Sequence, residues 1–255
     1  MCIRDSSYTA TQIGATNAFS FDMDSACSGF LFGMSTAARY IESGRYKKVL
    51  LIGADKMSSI VNYKDRATCI IFGDGAGAAL FEPNDEGLGV QDEYLRTDGS
   101  GREFLQATYG GSSNAITHEV LERGGHYAFQ EGKTVFKNAA FNMSEATIKI
   151  MERNQLNKTD VQWLAAHQAN KRIINATAER MELSPEKVMM NIEKYGNTTS
   201  ATLPLLLNDY ETQLKKGETV IFAAFGGGFS WGSIYLKWAY TCLLYTSDAA
   251  DEVVS

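Results

Sequence analysis

The stretch FDMDSACSGFLFG, residues 21–33, places a lone cysteine among small residues directly before a helical run. Residues 28–43 are small or apolar on nearly every side, which predicts a buried helix that ends near Gly44. Cys27 therefore lies at the N-terminus of that helix, where the helix dipole favours a thiolate. A reactive nucleophile and a buried structural cysteine are both open at this point.

Composition narrows the function classes. The chain has 255 residues, a net charge of −6, 44% hydrophobic and 21% charged residues, so a sizeable core is expected and a nucleic-acid surface is not. We find neither a membrane-length apolar stretch nor a signal peptide. Cys2, Cys27, Cys69 and Cys242 are scattered without metal-ligand spacing, which predicts no metal site and a reducing, cytoplasmic compartment.

Outward from residues 21–33, short apolar runs alternate with amphipathic stretches, which favours a layered α/β fold. Residues 88–133 are polar and glycine-rich and are interpreted as a connection with loops. Residues 226–228, Gly-Gly-Gly, join two strands in a hairpin, and their context excludes a phosphate loop. The predicted strands are 48–53, two within 69–81 around a glycine turn, 161–166, 218–225 and 231–238; the predicted helices are 28–43, 134–153, 171–181 and 200–214.

Two further residues are candidates for chemistry. His167 directly follows a strand, at the kind of sheet edge where α/β sites gather, although a structural histidine is the simpler interpretation. Asn197 precedes a helix in YGNTTSATLP, where it is either ordinary turn chemistry or a donor to a developing oxyanion.

Five motifs occur in one order along the chain: DSACSGF, DRATCIIFGDGAGAALFE, HQANKRI, YGNTTSA and AFGGGFSWGSIYL. Together they resemble β-ketoacyl-acyl-carrier-protein synthase III, the initiating condensing enzyme of type II fatty-acid synthesis. The likeness covers roughly residues 11–238. The resemblance implies a thiolase-like layered αβαβα fold of two similar halves, the first half truncated, and a homodimer when full length.

The resemblance also implies roles for individual residues. Cys27 takes an acyl group from acyl-CoA, while His167 and Asn197 bind the thioester oxygen of malonyl-acyl-carrier protein during decarboxylative condensation. The backbone amides of Cys27 and Gly227 form the oxyanion hole. Phe225 is implied to lie beside the sulfur as part of the substrate pocket. The implied contacts to coenzyme A and its pantetheine are Arg66, Asn170 and Arg172. The implied carrier-protein docking patch consists of Lys137, Arg172 and Arg180. No cofactor is implied beyond the thioester substrates, and neither a nucleic acid nor a membrane is an implied partner.

The expected division is a truncated first half, residues 10–94, and a second half, residues 95–238. Residues 1–9 and 239–255 show no hydrophobic periodicity that continues the pattern of the neighbouring segments, and they are interpreted as non-native tails. A secondary-metabolite or polyketide-type condensing enzyme stays open as an alternative. So does an inactive fragment that only binds thioesters.

Overall fold

The computed structural model describes residues 5–242, and this part of the chain forms a layered α/β structure. Its helices are α1 (Asp5–Gln12), α2 (Gly29–Glu42), α3 (His118–Glu122), α4 (Gly132–Arg153), α5 (Lys171–Arg180), α6 (Ile192–Tyr195) and α7 (Thr202–Tyr210). Its strands are β1 (Val49–Asp55), β2 (Gly75–Phe81), β3 (Gly89–Thr97), β4 (Leu105–Ala107), β5 (Ala128–Gln130), β6 (Trp163–Ala166), β7 (Thr219–Gly226) and β8 (Ser230–Lys237).

The larger sheet has the strand order β3-β8-β7-β6. Strand β6 runs parallel to β7, whereas β8 is antiparallel to both of its neighbours. Every residue of β7 is buried, as expected for a strand with helices on both faces. Because β6 and β7 are parallel, their carboxyl ends lie at one edge of the sheet, where Ala166 pairs with Ala223.

Helices cover both faces of this sheet. On one face, α4 and α5 contribute apolar side chains such as Met143, Ile150 and Ile174 to a core with β6–β8. On the other face, α2 and α7 contribute Phe30 and Leu203 to a second core. That second core also takes up side chains of β1 and β2, so α2 and α7 lie between the two sheets.

The smaller sheet consists of β1 and β2, paired antiparallel. Its inner face packs on α2 and α7. A Cβ at Gly77 would lie only 2.8 Å from Pro204 of α7. The close approach of this helix explains why the run 73–77 is rich in glycine. Its outer face carries apolar side chains that are half exposed: Leu50, Ile52 and Leu80. Residues 5–242 thus contain helix, sheet, helix and sheet layers in sequence.

Two element predictions are wrong. Residues 88–133 were expected to be a connection, but they contain β3, a nine-residue strand of the larger sheet, together with β4 and β5. A bulge between Val90 and Asp92 interrupts the two-residue alternation of β3, which explains why its pattern looks irregular. Residues 69–72 were expected to be a strand. They form a turn instead, and within them only Phe72 makes a β-bridge.

The other predicted helices and strands are present, with ends shifted by a few residues, whereas α1, α3 and α6 were not predicted. The expected boundary between residues 94 and 95 falls inside β3, and the larger sheet begins at Gly89. Residues 5–9 of the expected N-terminal tail belong to α1. Residues 1–4 and 243–255 lie outside the described residues.

Candidate active site

Cys27 lies in a 3₁₀ turn, Ala26–Ser28, that leads directly into α2. Ala26 has a φ of 47°, in the left-handed region that non-glycine residues seldom adopt. The Ser28 hydroxyl donates to the carbonyl of Ser230 at 2.9 Å and fastens the turn to the start of β8. This support holds a buried cysteine at the start of a fourteen-residue helix.

The end of β7 packs against the same turn. A Cβ at Gly226 would lie 2.9 Å from the amide nitrogens of both Cys27 and Ser28. Only glycine fits this approach without a shift of backbone. Gly227, the other residue of the expected oxyanion hole, lies beside Ala26, since a Cβ placed there would be 3.8 Å from that of Ala26.

His167 follows the last residue of β6 and is fully buried. Its backbone amide donates to the carbonyl of Ala223 on β7 at 2.8 Å. Its Nδ1 lies 2.6 Å from the Oγ1 of Thr202, at the start of α7. Its Nε2 is buried and has no hydrogen-bond partner among the residues that the structure describes.

Asn197 is held by its backbone and by one side of its amide. Its backbone N–H donates to the carbonyl of Ile71, and its backbone carbonyl accepts from the N–H of Gly73. These two bonds fix residue 197 against the segment before β2. The side-chain Oδ1 accepts the amide hydrogen of Thr199 at 2.9 Å. The Nδ2 group is the donor end of this buried side chain.

The three residues belong to one connected region. The Asn197 Oδ1 accepts from the Thr199 amide, the Thr199 carbonyl lies 2.9 Å from the Thr202 hydroxyl oxygen, and that oxygen lies 2.6 Å from Nδ1 of His167. The turn that holds Cys27 packs on the same segment, since a Cβ at Gly29 would lie 3.4 Å from that of Ser200, and Asn197 lowers the pKa of the Cys27 thiol. A thiol, an amide and an imidazole are therefore assembled at one edge of the larger sheet.

Burial dominates the electrostatics of this region. It raises the pKa of Cys27 to about 12, with a further rise from the Asp55 carboxylate and a smaller opposing effect of Asn197. Burial also lowers the pKa of His167 to about 3. At neutral pH the resting site therefore holds a protonated thiol and a neutral imidazole.

Three residues that shape the site were not among those predicted from the sequence. Asp55 ends β1, and its Oδ2 accepts from the Ser200 amide at 3.0 Å and from the Ser200 hydroxyl at 2.5 Å. The Gln168 side chain accepts from the amides of Asn191 and Ile192, and so anchors the segment that leads to Asn197. Thr202 is the third. The position of Asp55 at a strand end was a usable signal, whereas the contacts of the other two depend on tertiary structure.

The comparisons with known proteins identify the family. Two family models match, 3-oxoacyl-[acyl-carrier-protein] synthase III over residues 21–99 and its C-terminal part over residues 151–238. A curated β-ketoacyl-[acyl-carrier-protein] synthase III of Bacteroides thetaiotaomicron is 54% identical over 229 residues, which cover 90% of this chain and 68% of that protein. The chain belongs to the 3-oxoacyl-[acyl-carrier-protein] synthase III family.

Solved structures support the same assignment. The synthase III of Aquifex aeolicus superposes with a TM-score of 0.82 at 34% identity, over 91% of this chain and 71% of that one. The priming β-ketosynthase of the R1128 polyketide pathway gives 0.83 at 29% identity, over 92% and 70%. The predicted thiolase-like fold is thus confirmed. Within residues 5–242, helices are too short or too polar to traverse a lipid bilayer.

The synthase III residues expected to contact coenzyme A lie on the surface. Arg66 is exposed in the turn before β2, and its neighbours Asp65 and Thr68 line a cavity of about 360 Å³. Asn170 is exposed, and its Oδ1 caps α5 by accepting from the amide of Arg172 at 2.9 Å. Their roles toward coenzyme A stay predictions.

The expected docking residues occupy the neighbouring helices α4 and α5. The Arg172 guanidinium lies 4.9 Å from the centre of the Phe136 ring, next to Lys137 in sequence. Arg180 is two turns further along α5 and forms an ion pair with Glu145 at 3.3 Å. Of the three expected docking residues, Arg180 therefore has an anionic partner, whereas no ion pair is found for Lys137 or Arg172 within residues 5–242.

Aromatic residues and a cavity flank the Cys27 turn. Phe225 is buried, and its ring centre lies 4.8 Å from that of Phe229 and 6.3 Å from that of Trp231. A cavity of about 470 Å³ is lined by Ser25, Ala26, Gly227 and Phe229, among others. Space is thus available beside the nucleophile's turn, next to the expected oxyanion hole.

Proposed function

We propose that this synthase III family member accepts an acyl group from acyl-CoA on Cys27 and condenses it with malonyl-acyl-carrier protein in fatty-acid synthesis. The observation that carries the proposal is the chain of contacts from Asn197 through Thr199 and Thr202 to His167, beside the turn that holds Cys27. Relatives named β-ketoacyl-[acyl-carrier-protein] synthase III support it.

In the first half-reaction, the Cys27 sulfur attacks the acyl-CoA carbonyl. The C–S bond to coenzyme A breaks, and the thiol proton ends on the departing sulfur, so the step is neutral overall. The dipole of α2 favours the developing thiolate and opposes the effect of burial. The amides of Cys27 and Gly227 are the proposed donors to the tetrahedral oxyanion, and each such donor typically contributes about 10²–10³ in rate.

In the second half-reaction, malonyl thioester loses carbon dioxide, and negative charge develops on its thioester oxygen. Asn197 and His167 are the proposed donors to that oxygen. The carbanion then forms a carbon–carbon bond with the acyl carbonyl, Cys27 leaves as thiolate, and a proton from solvent restores the thiol. The thiol, amide and imidazole carry this chemistry, and we propose no cofactor besides the thioester substrates.

The test is acylation of Cys27 by acetyl-CoA, measured by intact-protein and peptide mass spectrometry. We expect one acetyl group on the peptide that contains Cys27, and none in Cys27→Ala. Cys69→Ala is the matched control, because Cys69 is also a free thiol and is more exposed. Equal labelling in Cys27→Ala and the unsubstituted chain would reject the nucleophile assignment.

A polyketide-type condensing enzyme is the second candidate, because the R1128 priming ketosynthase superposes with a TM-score of 0.83. The two are separated by offering acyl-Cys27 protein malonyl groups on fatty-acid and polyketide carrier proteins. A fragment that only binds thioesters would acquire no covalent acetyl group. Higher identity to the fatty-acid enzymes favours the first candidate.

We further propose a homodimer and a cytoplasmic location. Phe19 and Phe21 are about half exposed and lie in an aromatic cluster with Tyr40 and Tyr46, which is the kind of surface that a second copy covers. Cys27, Cys69 and Cys242 are free cysteines, which are common in proteins of a reducing compartment. Sedimentation velocity tests the dimer.

A further inference from the structure

The His167 ring has one partnered and one unpartnered nitrogen. Nδ1 lies 2.6 Å from Thr202 Oγ1, while Nε2 is buried without a partner among the described residues. A neutral imidazole carries a single N–H, so the partner of Nδ1 decides whether Nε2 is a donor or an acceptor.

The Thr202 hydroxyl has one hydrogen and two neighbouring acceptors. Besides His167 Nδ1 at 2.6 Å, the Thr199 carbonyl lies 2.9 Å from Oγ1. That carbonyl already accepts the backbone amide of Thr202, so it does not depend on the hydroxyl. The contact with Nδ1 is the shorter of the two, and 2.6 Å lies below the usual range of about 2.7–3.2 Å for an N–H donor, so we assign the single hydroxyl hydrogen to Nδ1.

We propose that Thr202 is a positioning residue whose hydroxyl donates to Nδ1 of His167 and thereby holds the imidazole proton on Nε2. This inference rests on the proposed function for its consequence, because an Nε2–H group is what a thioester oxygen requires as partner. The substrate oxygen then supplies the acceptor that the described residues do not.

Tautomer control matters here because protonation cannot supply the donor. Burial lowers the pKa of His167 to about 3, so the imidazole stays neutral over the working pH range. With the proton on Nδ1 instead, Nε2 would present a lone pair to the negative oxygen. Decarboxylation would lose one of its two donors, whereas acylation of Cys27 uses the backbone amides and would continue.

The direct test is the tautomer itself. In protein labelled with ¹⁵N-histidine, long-range ¹H–¹⁵N correlation spectra show which ring nitrogen carries hydrogen, and His167→Asn identifies the signals against those of His118 and His126. We expect Nε2–H in the unsubstituted protein and in Thr202→Ser. A proton on Nδ1 in the unsubstituted protein overturns the inference, whatever the activity.

The kinetic test compares Thr202→Val with Thr202→Ser. We expect Thr202→Val to lower kcat for malonyl decarboxylation about 10²-fold with little change in KM, because a transition-state donor is lost. Thr202→Ser restores most of the rate. Thr177→Val is the matched control, since it removes a buried threonine hydroxyl that bonds only to its own helix, at Ile173.

The outcomes separate this inference from the proposed function. If neither the unsubstituted protein nor any variant is acylated, the proposed function fails. The NMR spectra still decide the role of Thr202 in that case. If Thr202→Val decarboxylates at the unsubstituted rate, Thr202 has no positioning role. Should Thr202→Val not fold, the tautomers of the unsubstituted protein and of Thr202→Ser give the decision.

Discussion

Replacing Gly226 by alanine should damage acylation more than stability. The new Cβ would lie 2.9 Å from the amide nitrogens of Cys27 and Ser28 and 3.2 Å from the Ser25 carbonyl oxygen, whereas ordinary contacts begin at 3.4 Å. All three neighbours are backbone atoms on one turn, so no side chain can rotate away. The turn or the end of β7 must move by about 0.5 Å, the limit within which catalytic geometry has to be held.

This displacement affects an expected oxyanion donor, the amide of Cys27. A misplacement of about 1 Å can cost about 10²-fold in rate, so we expect acylation by acetyl-CoA to slow about 10–10²-fold. Overpacking typically costs about 1–3 kcal/mol, which a domain of ordinary stability survives. The assay is the time course of acetyl-Cys27 formation by mass spectrometry, with folding checked by urea unfolding.

Gly132→Ala is the matched control, because a Cβ at this position, at the start of α4, would meet no other atom of the described residues within 4 Å. It should acylate at the unsubstituted rate. If Gly226→Ala also does so while remaining folded, the close approach of β7 to the Cys27 turn has no bearing on catalysis, and our geometric reasoning is refuted.

Three further predictions concern charge and donors. Because the Asp55 carboxylate raises the Cys27 pKa, Asp55→Asn should speed alkylation of Cys27 by iodoacetamide at fixed pH, tenfold if the pKa falls by one. In both proteins the alkylation rate should rise with pH through pH 9 without a plateau. An unchanged rate in Asp55→Asn argues against the effect of Asp55 on Cys27. Asn197→Ala should leave acyl-Cys27 formation in place but lower malonyl decarboxylation about 10²–10³-fold, and loss of acylation alone would reverse the assignment. Arg172→Glu should weaken carrier-protein binding in low-salt calorimetry more than Arg180→Glu, because Arg180 is already ion-paired; equal effects would remove that distinction.

The order of motifs along the chain was enough to single out Cys27, His167 and Asn197 as candidates for one site. Each belongs to a segment whose local pattern is clear: a helix start, a strand end and a turn. The strand β3 was missed because its bulge shifts the alternation, and because Asp92 is neutralised by Arg153, a partner 61 residues away. Local sequence carries no sign of such a pairing.

The orienting groups of the site were hidden for the same reason. Thr202 looked like part of an ordinary helix start, and only folding brings its hydroxyl to the ring of a histidine 35 positions earlier. Asp55 bonds to a serine 145 residues away. Motifs therefore indicate which atoms react, whereas the residues that aim those atoms are recognised only in three dimensions.

The fastening of the Cys27 turn to β8 has a consequence during biosynthesis. Ser28 and its acceptor Ser230 are 202 residues apart, so most of the chain must leave the ribosome before that contact can form. Contacts this distant in sequence form late and slow folding. Until then the nascent cysteine is hydrated, with its ordinary acidity, and is open to oxidants and electrophiles. The completed hairpin of β7 and β8 both fixes the Cys27 turn and buries its thiol.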